Sequence, residues 1–141
     1  MSNNLSRTAL RVVLFLAGVI VCITGINLAF GGIRTLGWQG AFDFIQIVDE
    51  RRFLAQDSHI RFLGGVWLSI GLLFIVGAAN INKFQAALKF AIIATFIGGL
   101  ARLSQTNLDV TFSAEIVGSW LAEVAGMPLL YFWLKSVVRQ N

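Results

Sequence analysis

The sequence predicts an all-α integral membrane protein. We expect a four-helix antiparallel bundle with both termini cytoplasmic and a short amphipathic segment in the first outer loop. Three observations carry this. The 141 residues are 57% hydrophobic and only 13% charged, where a soluble globular chain carries about 25% charged residues. The apolar residues gather into four long runs, each near the roughly 20 residues that cross a hydrocarbon core. The charges fall mostly between those runs. The net charge of +4 does not mark a nucleic-acid partner, because the bases are scattered at segment ends instead of sharing one face. Cys22 is the only cysteine and His59 the only histidine, so an intrachain disulfide is excluded and a zinc site is not expected. No cofactor is expected either.

The first span is read over residues 12–30, after a polar cap holding Arg7 and Arg11. Its apolar core is longer than that of a signal peptide, and no A-x-A cleavage site follows, so it is expected to remain as a span. The second span is read over 60–79, the third over 84–103 and the fourth over 116–134. The whole chain, 1–141, then forms one transmembrane domain. Asn80 to Lys83 is a tight turn that makes the second and third spans a hairpin. Ser104 to Glu115 is a short loop in which Ser113 is placed to cap the fourth helix.

Gly31 to Ser58 is too long for a plain connector. Its segment AFDFIQIVDERRFLAQD mixes apolar residues with charges at nearly every third position, the pattern of a helix lying on the membrane surface or of a lid across the bundle. With the N-terminus inside, the inner side holds Arg7, Arg11, Lys83, Lys89, Lys135 and Arg139, with no acid in its connections. The outer side holds Arg34, Arg51, Arg52, Arg61 and Arg102 together with six acids. The positive-inside rule therefore points to cytoplasmic termini.

Candidate site residues follow from polar groups within apolar runs, where charge is costly and usually functional. Arg102 ends the stretch ATFIGGLARLSQ, one turn beyond Gly98-Gly99. Glu123 lies in SWLAEVAGMPLLYFWL, on the order of 10 Å inside the outer end of its span at 1.5 Å per residue. At that depth an isolated carboxylate must be paired or protonated, and Arg102 on the neighbouring antiparallel helix is the first partner. Ala91, Ala94, Thr95 and Gly98 on the third span, and Gly118, Ala122 and Gly126 on the fourth, form small-residue faces suited to close packing. Pro128 removes a backbone hydrogen bond to Val124 and predicts a kink just past Glu123. Asn27, His59 and Arg61 fall at the same outer level, so all four helices offer a polar group to a cavity opening outward. Trp38, Trp67, Trp120 and Trp133 fit aromatic belts.

No nucleophile elbow, H-E-x-x-H, phosphate-cradling loop or carboxylate pair is present, so no enzyme activity is expected. The leading functional expectation is binding or transport of a lipid-like or amphipathic molecule, with Arg102 on an anionic head and Glu123 as its balance. Transport through four helices alone is narrow, which favours a homo-oligomer. The alternatives are a structural envelope or assembly factor without a ligand, and a small proton-coupled transporter using Glu123.

The residues that carry these charges also carry a resemblance. HIRFLGGVWLSIGLLF (59–74), FIGGLARLSQ (96–105), and a glutamate shortly before a proline, Glu123 and Pro128, resemble the bacterial membrane family labelled domain of unknown function 4345. The likeness runs from the first span to the fourth, and Arg102 is its most distinctive element. The charged first outer loop departs from it. The resemblance implies a four-helix protein of the bacterial inner membrane, and no substrate.

Overall fold

A computed structural model describes residues 2–37 and 46–139. Among these residues the regular structure is helical throughout. The helices are α1 (Ser2–Gly31), α2 (Glu50–Ala79), α3 (Ile81–Ala101), α4 (Leu108–Thr111), α5 (Val117–Leu121) and α6 (Met127–Arg139). A π-helical turn, Ala122–Gly126, joins α5 to α6. Four stretches are long and apolar enough to cross a membrane: Asn4–Thr35, Glu50–Ala79, Ile81–Ser104 and Val117–Arg139. Large apolar side chains such as Ile20, Phe62, Phe90 and Phe132 stand more than 60% exposed, as they do on helices whose outer solvent is lipid and not water.

The chain divides into two compact units, one formed by Val13–Val76 and the other by the chain before and after it. In the first unit α1 and α2 run antiparallel and meet through glycines. A Cβ added at Gly18 would lie 2.7 Å from Ile75 Cγ1, at Gly25 2.5 Å from the Leu68 nitrogen, and at Gly71 2.7 Å from the Cys22 nitrogen. At Gly64 it would strike the Ala29 nitrogen. Gly18 and Gly25, like Gly64 and Gly71, are seven residues apart and so share one helix face. Without a hydrophobic drive in lipid, this close backbone approach supplies the dispersion that holds helices together. Gly65 has open space around it, so only one member of that glycine pair packs.

In the second unit α3 packs against the last span. The stripe Leu88, Ile92, Thr95 and Gly99 is buried on α3, and Glu123, Leu130, Leu134 and Val137 on its partner. Asn80 alone separates α2 from α3, and its side chain accepts from the Lys83 amide at 3.1 Å, which satisfies one of the orphan donors of the new helix. Arg11 donates to the carbonyls of Ala78 and Ala79 at 2.8 and 3.1 Å, closing the C-terminal end of α2.

Several expectations are corrected here. Residues 50–58 do not form a separate surface helix; they are the first turns of α2, which begins at Glu50. No Gly or Pro interrupts Asp49 to Leu63, and the Asp49 carboxylate accepts from the Arg52 amide at 3.1 Å as a helix cap. The earlier part of that amphipathic segment, and Trp38, lie outside the described residues. Ser113 serves the start of the last span through its carbonyl, which accepts from Ile116 and Val117, and not through its hydroxyl. Gly98 and Gly118 meet nothing, and Gly126 touches only the Leu121 carbonyl at 4.0 Å. Ala91 and Thr95 of the expected α3 face are buried, alongside Leu88, Ile92 and Gly99, while the last span packs through Glu123, Leu130 and Leu134 instead of Gly118 and Gly126.

Candidate functional site

Arg102 stands three residues beyond Gly99, so it extends the buried α3 stripe at its C-terminal end. Gly99 is packed against the last span: a Cβ there would lie 2.7 Å from Glu123 Cβ and 2.9 Å from Val124 Cγ2. That approach brings the guanidinium to the carboxylate. Arg102 Nε donates to Glu123 Oε2 at 2.7 Å, and Nη2 donates to Oε1 at 2.8 Å. This is the planar two-point geometry in which arginine binds carboxylates most strongly. The Glu123 side chain is 11% exposed and that of Arg102 40%. The carboxylate therefore depends on its partner for solvation, while the guanidinium keeps contact with its surroundings.

The backbone around Glu123 explains its placement. The Met127 amide donates to the Ala122 carbonyl, the five-residue step of a π turn. Pro128 has no amide to donate, and the extra residue absorbs the break within the span. Where a kink is expected just past Glu123, the structure has this π turn, Ala122–Gly126, which includes Glu123 itself. After α3, Arg102–Ser104 tightens into a 3₁₀ turn. The Thr111 hydroxyl, on α4, lies 3.3 Å from the Arg102 carbonyl and 3.2 Å from Gln105 Oε1. Thr111 is 1% exposed, and it fastens the short loop after α3 next to Arg102.

The remaining expected site residues lie in the other unit. Arg61 Nε donates to Asp57 Oδ2 at 2.6 Å, and its Nη1 donates to the Phe30 carbonyl at 2.6 Å. Asp57 Oδ1 accepts from the Ile33 amide at 2.7 Å. The C-terminal end of α1 is thereby clasped to α2 through one carboxylate and one guanidinium. Gly32 makes the clasp possible, because its φ of 62° is left-handed and a Cβ there would overlap the Asp57 carboxylate. Asp57 was not singled out from the sequence, although its i,i+4 spacing to Arg61 is the signal for such a pair. Asn27 is buried at 5% exposure, and its Oδ1 has no hydrogen-bond partner among the described residues. His59 is exposed and joins neither pair.

The five expected residues thus resolve into one pair as anticipated, Arg102 with Glu123, and an arginine whose acid is Asp57. No group of three or more His, Cys, Asp or Glu able to hold a metal occurs among the described residues. Trp120, which lies three residues before Glu123, stacks edge-on with Phe112 at 5.2 Å.

Four helices of spanning length, with the Arg102–Glu123 pair closed inside two of them, define a multi-pass α-helical membrane protein. The chain belongs to the family described as domain of unknown function (DUF4345), whose model matches residues 9–134. That match covers every one of the expected site residues. Neither curated proteins nor solved structures gave a match.

Proposed function

We propose that this protein binds the anionic head of a lipid-like molecule at Arg102, with Glu123 holding the guanidinium in a fixed orientation. One observation carries the reading. Glu123 occupies the Nε and Nη2 edge of the guanidinium, while Nη1 has no hydrogen-bond partner among the described residues and the side chain is 40% exposed. An arginine held on one edge and open on the other is pre-organised, so less entropy is lost when it takes a phosphate or carboxylate. The base distribution supports cytoplasmic termini in a bacterial inner membrane, which puts this site towards the outer leaflet.

Native mass spectrometry of the detergent-purified protein with phosphatidylglycerol and phosphatidylcholine tests the proposal. The parent is expected to prefer the anionic lipid. The double variant Arg102→Gln/Glu123→Gln keeps the interior neutral and is expected to lose part of that preference. A parent without the preference, or a double variant that keeps it whole, overturns the reading.

A second reading is architectural: the pair exists to hold α3 against the last span. Its support is the packing of Gly99 on Glu123 Cβ, which makes Glu123 part of the helix contact itself. Buried pairs of this kind can set which helices meet while adding little net stability.

A further inference from the structure

The α3–α6 face carries a second feature, which begins about one turn beyond Glu123 and runs away from Arg102. Ile92, Ile93 and Phe96 on α3, with Met127, Pro128, Tyr131 and Phe132 on the other side, line an open cleft of about 400 Å³. Every lining side chain is apolar except for the Tyr131 hydroxyl. Unfilled apolar space forfeits dispersion contacts on its open side, so in a bilayer such a cleft is filled by hydrocarbon.

The ends of the cleft differ in charge. Gly99 opposes Glu123, so the antiparallel register puts Phe96 level with Met127 and Ile92 level with Tyr131. One further turn brings Lys89 level with Leu134, one residue or about 1.5 Å along the axis from Lys135. Lys89 precedes Ile92 and Ile93 by three and four residues, and Lys135 follows Phe132 and Tyr131 by three and four. Both lysines therefore continue the stripes that line the cleft. Neither has an ion-pair or hydrogen-bond partner among the described residues, whereas Arg7 is bonded to Asn82 and Arg11 to the Ala78 and Ala79 carbonyls at the same end of the unit. The three acids of the unit, Asp109, Glu115 and Glu123, all lie towards its other end in sequence register.

We infer that this face is a binding site for an anionic phospholipid of the leaflet opposite to Arg102, with its phosphate between Lys89 and Lys135 and one acyl chain in the cleft. Charge complementarity selects the occupant. A zwitterionic lipid fills the cleft equally well but leaves the two ammonium groups without a net negative partner, while a second protein helix offers no reason for paired lysines at one end. Basic residues between membrane helices, placed at headgroup level, are a recurring means of holding anionic lipid heads. The proline ring and Met127 shape one wall, and the π turn just before them offsets that wall from the α-helical line of the span.

The site is independent of the Arg102 reading, and the experiment separates the two. Lipid adducts are counted by native mass spectrometry for the parent, Lys89→Gln/Lys135→Gln, Arg102→Gln/Glu123→Gln and Ile93→Trp, each with phosphatidylglycerol, phosphatidylcholine and, separately, glycerol phosphate. The lysine variant is expected to lose roughly thirtyfold in anionic-lipid affinity at one site, the effect of two basic residues at a headgroup, and to keep its phosphatidylcholine adducts. Ile93→Trp fills the cleft and is expected to weaken both lipids there. The Arg102/Glu123 variant is expected to leave this site unchanged. Unchanged phosphatidylglycerol adducts in the lysine variant overturn the inference. So does glycerol phosphate competing as well as the intact lipid, since the chain then plays no part. Because the lysines lie on exposed or half-buried positions, these variants are expected to fold as the parent does.

Discussion

Replacing Arg102 by Gln removes the cation that holds both oxygens of Glu123. The side chain of Glu123 is 11% exposed, so without its partner the carboxylate is stranded away from water. Breaking a buried pair by removing one partner costs about 3–5 kcal/mol, and the low end, about 3 kcal/mol, applies here because Arg102 is 40% exposed. Replacing Glu123 by Gln is milder. Arg102 is 40% exposed, and its long side chain can turn towards the headgroup region. What is lost is two charge-assisted hydrogen bonds, discounted for that exposure to about 1–2 kcal/mol. The double variant leaves two amides and no stranded charge. The expected order of thermal stability in detergent at pH 7 is therefore parent, then Glu123→Gln and the double variant close together, with Arg102→Gln clearly lowest. Intrinsic tryptophan fluorescence or size-exclusion thermostability reads the series. Equal losses from the two single variants, or additive losses in the double, would refute the argument that Arg102 neutralises Glu123.

Further predictions follow from the packing. Gly99→Ala drives a Cβ into Glu123 and Val124 and is expected to cost about 1–3 kcal/mol, whereas Gly98→Ala meets nothing and is expected to be neutral or to stabilise by up to about 1 kcal/mol through helix propensity; paired melting curves compare them. Gly64→Ala and Gly65→Ala should divide in the same way, the first being the more damaging because its Cβ meets the α1 backbone. Asp57→Ala removes the acceptor shared by Arg61 and the Ile33 amide, so hydrogen exchange at Ile33 and the adjoining residues is expected to speed up by tenfold or more, with little change at α3. Asp57→Asn, which keeps an acceptor for Ile33, should lie between the two.

How much of this was legible in the chain can be judged residue by residue. The spans followed from apolar length, and the turn at Asn80 from a polar break too short to be anything else. Arg102 with Glu123 was legible because a carboxylate at that depth must be neutralised and the nearest base on the adjoining helix is one turn past a glycine pair. Asp57 was missed because it was read as part of a loop; once α2 begins at Glu50, Asp57 and Arg61 fall one turn apart on a single helix. The Gly98–Gly99 and Gly64–Gly65 pairs show the same limit. Either member offers a small surface, and only the phase of the packed face selects Gly99 and Gly64.

The sequence by itself determined the class of this protein, an all-helical chain with four spans, because hydrocarbon admits no unpaired backbone and apolar length alone selects helices that cross it. It also determined that Glu123 needs a partner. The tertiary structure decided which atoms provide it, Nε and Nη2 of Arg102 against the two carboxylate oxygens, and which glycines let the helices approach. It decided, too, that a π turn at Glu123 precedes Pro128 and that one apolar cleft opens between Ile92 and Phe96 on one side and Met127 and Tyr131 on the other. These are questions of helix phase and register, and they are settled by the summed packing of whole faces, which no single residue carries.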